Sequence, residues 1–110
     1  MYWILDGQMP VPCADAYTWA QWLVESKHPY VVETMLLEDV RVSTVFLGLD
    51  HRIGTGLPLL FHSQVFGGAL DGTIKYYSTW AEAEAGHAAL VAHVQVSLGE
   101  RRKEGQSHNE

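Results

Sequence analysis

The chain has 110 residues, of which 47 % are hydrophobic and 18 % charged, and its formal net charge is −6. That composition specifies a single folded domain rather than a disordered chain, and no apolar run approaches the roughly 18 residues of a membrane span. The negative balance argues against general nucleic-acid binding. The lone cysteine, Cys13, leaves no internal disulfide, as expected of a protein in a reducing cytoplasm.

In chain order, Tyr2-Trp3-Ile4-Leu5 is β-favouring and is closed by the turn signal Asp6-Gly7. Met1 to Leu5 lacks the basic-then-apolar pattern of a secretory leader. Pro10 and Pro12 predict an irregular stretch. Asp15 is an N-cap candidate, and Ala16, Trp19, Ala20 and Leu23 follow at helical spacing. That helix should stop near Ser26-Lys27, because Pro29 disfavours the α conformation at His28. Strands are predicted over 30–37, 40–49, 58–66 and 73–78, with Tyr76 and Tyr77 on opposite faces of the last. Along 58–66 one face carries Phe61, Ser63 and Val65 and the other His62, Gln64 and Phe66. Thr79-Trp80-Ala81-Glu82 is a capping box opening a second helix to Leu98, with Gly99 as its C′ residue. Gly86 weakens that helix by about 1 kcal/mol relative to Ala, and would let a neighbour approach closely.

Charge is unevenly placed. Arg101, Arg102 and Lys103 balance Glu100, Glu104 and Glu110, so residues 100–110 read as a neutral, polar, disordered tail. Residues 1–99 form one α+β domain in which only Lys27, Arg41, Arg52 and Lys75 oppose ten acids. Short connections between the central strands favour an antiparallel sheet of about four to five strands with two helices packed on it. So small a domain cannot readily hide Trp3, Trp19, Trp22 and Trp80 and cover both faces of a sheet, which predicts a homo-oligomer.

Asp50-His51-Arg52-Ile53-Gly54-Thr55-Gly56 is the most function-like segment. It brings together a carboxylate, an imidazole and a guanidinium, and its Gly-x-Gly can present backbone amides to an anion. As a plain connection it needs no ligand. With Lys75 for a phosphate and Tyr77 and Trp80 for stacking, residues Asp50, His51, Arg52, Gly54 and Gly56 make a candidate ligand site. Aromatic residues at such spacings are also ordinary core. Asp50, His51, His62 and His87 form the alternative, a metal site, although no paired-histidine helix motif is present. Ser43, Ser63 and Cys13 lack a nucleophile-elbow context, and no cofactor is implied.

Arg41 to His51, Pro58-Leu59-Leu60-Phe61, Val65-Phe66-Gly67-Gly68 and Tyr77 to His87 together resemble a family of small uncharacterised accessory proteins of tailed phages and prophages. Met1 to Leu5 and Thr18-Trp19-Ala20 resemble it too, so only the tail lies outside. His62-Ser63-Gln64 departs from the Glu-Thr-Met of the family pattern, which here stands at Glu33-Thr34-Met35. The resemblance implies a protein of the host cytoplasm and no particular reaction. By analogy with other small phage factors, the expectation is a non-enzymatic host-takeover or counter-defence protein. It would sequester a nucleotide-type ligand or a host protein. The alternatives are a small metal-dependent hydrolase and a virion-associated structural protein.

Overall fold

In the computed structural model, residues 2–26, 30–36 and 39–107 are described. The elements are β1 (Tyr2–Asp6), β2 (Met9–Cys13), α1 (Ala16–Glu25), β3 (Tyr30–Met35), β4 (Arg41–Phe46), β5 (Phe61–Phe66), β6 (Ile74–Tyr77) and α2 (Trp80–Ser107). The fold is α+β: β3-β4-β5-β6 form an antiparallel sheet in sequence order, and β1-β2 form a separate hairpin.

The stretch around Pro10 and Pro12 is a strand, contrary to expectation. Pro12 stands opposite Trp3 and Pro10 opposite Leu5, while Met9, Val11 and Cys13 take the intervening positions. Successive residues of an antiparallel strand point their N–H groups to opposite edges, so residues two apart share an edge. Two prolines spaced by two therefore place both missing donors on the outer edge and leave the ladder to β1 intact. On the other edge of β1, the Trp3 amide donates to the Gly48 carbonyl at 2.8 Å, which fastens the hairpin to the end of β4. Gly48 has φ +74, and a Cβ there would lie 2.6 Å from Trp19 Nε1 and 3.3 Å from the Trp3 carbonyl. Only glycine meets both demands. It also ends β4 at Phe46, short of the expected Leu49.

Asp15 caps α1 as predicted, its carboxylate accepting from the amides of Tyr17 (3.2 Å) and Thr18 (3.1 Å). The helix packs on the β1–β2 hairpin, and Trp22 meets Phe46 edge-on at 5.6 Å. No residue of α1 is fully buried. The helix ends at Glu25 with Ser26 as its C-cap, where the sequence predicts the stop; Lys27 to Pro29 and Leu37-Glu38 lie outside the described residues.

Thr79 opens α2: its hydroxyl accepts from the Glu82 amide at 3.1 Å and donates to the Glu82 carboxylate at 2.9 Å. The helix does not stop at Gly99 but continues to Ser107. Gly99 is absent from the positive-φ residues, so it makes no left-handed C′ turn there. The expected tail is thus helical as far as residue 107, and 108–110 lie outside the described residues.

Ala83, His87, Leu90, Val94 and Leu98 form the buried stripe of α2, at three- and four-residue spacing. They lie on the sheet face that carries Val42, Thr44, Phe46, Phe61, Ser63 and Val65. Two apolar clusters result. One joins Val40, Val42 and Val65 to Leu90, Val94 and Leu98. The other joins Phe46, Leu60 and Phe61 to Ala83, with Trp3, Trp22, Tyr77 and Trp80 packed around it. All four tryptophans are only half-buried. Gly86 admits the Tyr77 ring so closely that a Cβ would overlap it, which fulfils the expectation for that glycine.

Candidate functional site: the outer face of the sheet

The loop after β4 is closed on itself. The Asp50 carboxylate accepts from the amides of Arg52 (2.8 Å) and Leu59 (2.9 Å) and pairs with Arg52 Nε at 2.8 Å. Arg52 Nη1 donates to the Gly56 carbonyl at 2.6 Å. The Arg52 amide is the chief reason that the Asp50 carboxyl is held below its ordinary range; desolvation opposes it, and the Leu59 amide and the Arg52 guanidinium add to the lowering. Gly54 (φ +85) and Gly56 (φ +115) supply the turns that let the guanidinium fold back. Asp50 and Arg52, both predicted for the ligand site, therefore hold the loop in shape, and the tip presents Ile53, which is 98 % exposed.

The sequence-predicted site residues divide between the two sides of the sheet. His51 stacks on Tyr76, ring centroids 5.7 Å apart and planes 21° apart, and His62 lies 5.9 Å from the same ring. Val45, His62 and Tyr76 are paired across three strands and share the outer face. Lys75 and Tyr77 alternate to the inner side: Lys75 is exposed opposite Ser63, and Tyr77 lies against Gly86. Trp80 packs edge-on against Phe61 at 6.2 Å, at the margin of the core. Tyr77 and Trp80 therefore do not join His51, and the stacking partner of that histidine is Tyr76. Alternation along 73–78 separates the two tyrosines in the sequence, but only the strand register brings Tyr76 to His62.

The metal set is not assembled. His87 is buried beneath α2, whereas His62 and His51 stand on the opposite face. Asp50 is committed to Arg52. Among the described residues no three His, Cys, Asp or Glu side chains converge as a metal centre requires.

His87 bonds instead to two strands. Its Nε2 lies 2.8 Å from Thr34 Oγ1 and its Nδ1 2.8 Å from Thr44 Oγ1, and Thr44 shares a 2.5 Å hydrogen bond with Ser63. Burial pushes the His87 pKa down. Burial, and secondly the His51 imidazole, lower that of His62.

Among the described residues α2 covers the inner face and α1 packs on the hairpin, which leaves the outer face without a covering helix. At its His51 end stand the three rings. At the other, Arg41 lies 4.3 Å above the Phe66 ring with Glu33 3.7 Å from its Nε. Met35, opposite Arg41, is exposed at that end, and Tyr76 is 43 % exposed at the His51 end. A second apolar surface is a groove of about 390 Å³ between the hairpin and the start of α2, lined by Met9, Pro10, Thr79 and Trp80 among others.

No protein-family profile, curated protein or solved structure matches this chain. No helix among the described residues is long and apolar enough to cross a membrane.

Proposed function

We propose that this chain is a non-catalytic binding protein, of the kind carried by tailed phages as accessory factors, and that it holds a host protein against the outer face of its four-stranded sheet. The observation behind this reading is that face itself: it displays His51, His62, Tyr76, Arg41 and Phe66 with no helix of the described chain upon it. Surface-exposed aromatic and arginine side chains are the residue types that anchor protein interfaces. A protein partner with a basic surface suits a body in which ten acids oppose four basic side chains. The nucleotide version loses support, because Arg52, its leading phosphate contact, is spent on Asp50 and Gly56.

Native mass spectrometry of the chain recovered from infected cells tests the reading. A host polypeptide retained in fixed ratio, and lost in the Tyr76→Glu variant, is the expected result. A retained metabolite mass would replace it with small-ligand sequestration, and a complex indifferent to Tyr76→Glu would remove the outer face from the account. Recovery of the chain in purified particles would point to the virion-component alternative.

A further inference from the structure

The core of this protein is interrupted at its centre by a polar row. On the sheet, the row that pairs Thr44 with Ser63 lies between the Val42–Val65 row and the Phe46–Phe61 row. On α2, His87 lies between Ala83 and Leu90. The His87 ring, 4 % exposed, therefore sits between the two apolar clusters, and each of its nitrogens is held by a hydroxyl from a different strand. A neutral imidazole satisfies this arrangement, with one nitrogen donating and the other accepting. An imidazolium must donate from both, and its charge would be buried between hydrocarbon surfaces.

We propose that the docking of α2 on the sheet is an acid-labile latch with His87 as its titrating group: when the ring takes a second proton, α2 loses its seat on the strands. Among the described residues nothing charged answers such a cation. From β3 the network receives Thr34, while Glu33 turns to the outer face toward Arg41 of β4. β4 contributes Val42, Thr44 and Phe46, and β5 contributes Phe61, Ser63 and Val65, with His62 on the outer face. From β6, Lys75 shares the inner side but is exposed and is itself a cation, and the Tyr77 phenol lies against Gly86. On α2 itself, Glu82, Glu84 and His93 are exposed. Burial of the neutral ring already disfavours its protonation, in keeping with the latch.

The sign follows from linkage. An unfolded histidine titrates near 6.5. A folded histidine titrating lower binds fewer protons than the unfolded one between the two values. Stability is therefore fully present above about 6.5 and falls as the pH drops below it, until the folded value is reached. For one such group the folding equilibrium constant falls by up to about tenfold per pH unit in that window.

The experiment uses the full chain. Histidine ring signals are followed by NMR as the pH is lowered, amide protection is measured at Leu90 and Val94, and urea unfolding is compared at neutral pH and at about pH 5. Wild type, His87→Gln and His62→Gln are measured side by side, because His62 also titrates low and adds its own share. The expected results are a His87 midpoint below 6.5, loss of protection at Leu90 and Val94 as it titrates, and a shallower pH dependence in His87→Gln than in His62→Gln. A midpoint at or above 6.5, protection that survives protonation, or a folded His87→Gln with the wild-type slope would overturn the latch. Should His87→Gln fail to fold, the wild-type ring midpoint and amide protection decide alone.

Discussion

Gly86→Ala sets two effects of opposite sign against each other. In an open helix the substitution stabilises by about 1 kcal/mol, because alanine loses less backbone freedom. Here the new methyl would overlap three atoms of the Tyr77 phenol, Cε1, Cζ and Oη. The ring is held on β6 within the cluster formed with Phe61 and Ala83, so either the ring or the helix must give way. Overpacking of this kind costs about 1–3 kcal/mol, and overlap with three atoms at the phenol end places this site at the upper end. The net expectation is a loss of about 2 kcal/mol, or roughly 8 °C in Tm for a chain of this size. Thermal and urea unfolding of Gly86→Ala, Tyr77→Leu and the double variant read this directly as a double-mutant cycle. With the ring removed, Gly86→Ala should become neutral or stabilising. A Gly86→Ala protein more stable than wild type would refute the reasoning, as would a penalty unchanged in the Tyr77→Leu background.

Gly48→Ala should cost about 2–4 kcal/mol by urea unfolding, combining a left-handed backbone with the approach of Trp19. Thr44→Val leaves His87 Nδ1 and Ser63 Oγ short of a partner and should cost about 1–3 kcal/mol. Its combination with Ser63→Ala should fall short of the sum, a coupling that urea titration of the four proteins will show. The Asp50 carboxyl titrates below its ordinary range, so the closed loop is fully present above about pH 4 and opens as the pH falls through the lower folded value. Chemical shifts of the Arg52 and Leu59 amides should follow that transition, and in Asp50→Asn they should show no such titration.

Local grammar made much of this fold legible. Asp15 and Thr79 cap the helices because a short oxygen-bearing side chain before an apolar period has one favourable use. Alternation along 61–66 separates Phe61, Ser63 and Val65 from His62, Gln64 and Phe66, and the sheet buries the first set. β2 was hidden because two prolines mask a strand until their spacing is compared with the direction of the ladder. Gly99 misled in the other direction, since a glycine ends a helix only when it turns left-handed. The candidate site was less legible. Arg52 reads identically whether it faces a ligand or folds back onto Gly56. His87 reads as a lone histidine because its partners Thr34 and Thr44 lie 53 and 43 residues away. Tyr76 joins His51 and His62 only through the pairing of β5 with β6.

The alternate prolines of β2 have a consequence for how this chain meets extended polypeptides. Pro10 and Pro12 occupy the positions whose amides would point away from β1, so the free edge of the hairpin offers carbonyl oxygens and no donors over its length. Such an edge cannot template a further strand, whether from another copy, a misfolded chain or a peptide. On the opposite edge of β1, the Gly48 carbonyl takes the Trp3 amide. In the main sheet, the margins open to strand addition are β3 and β6.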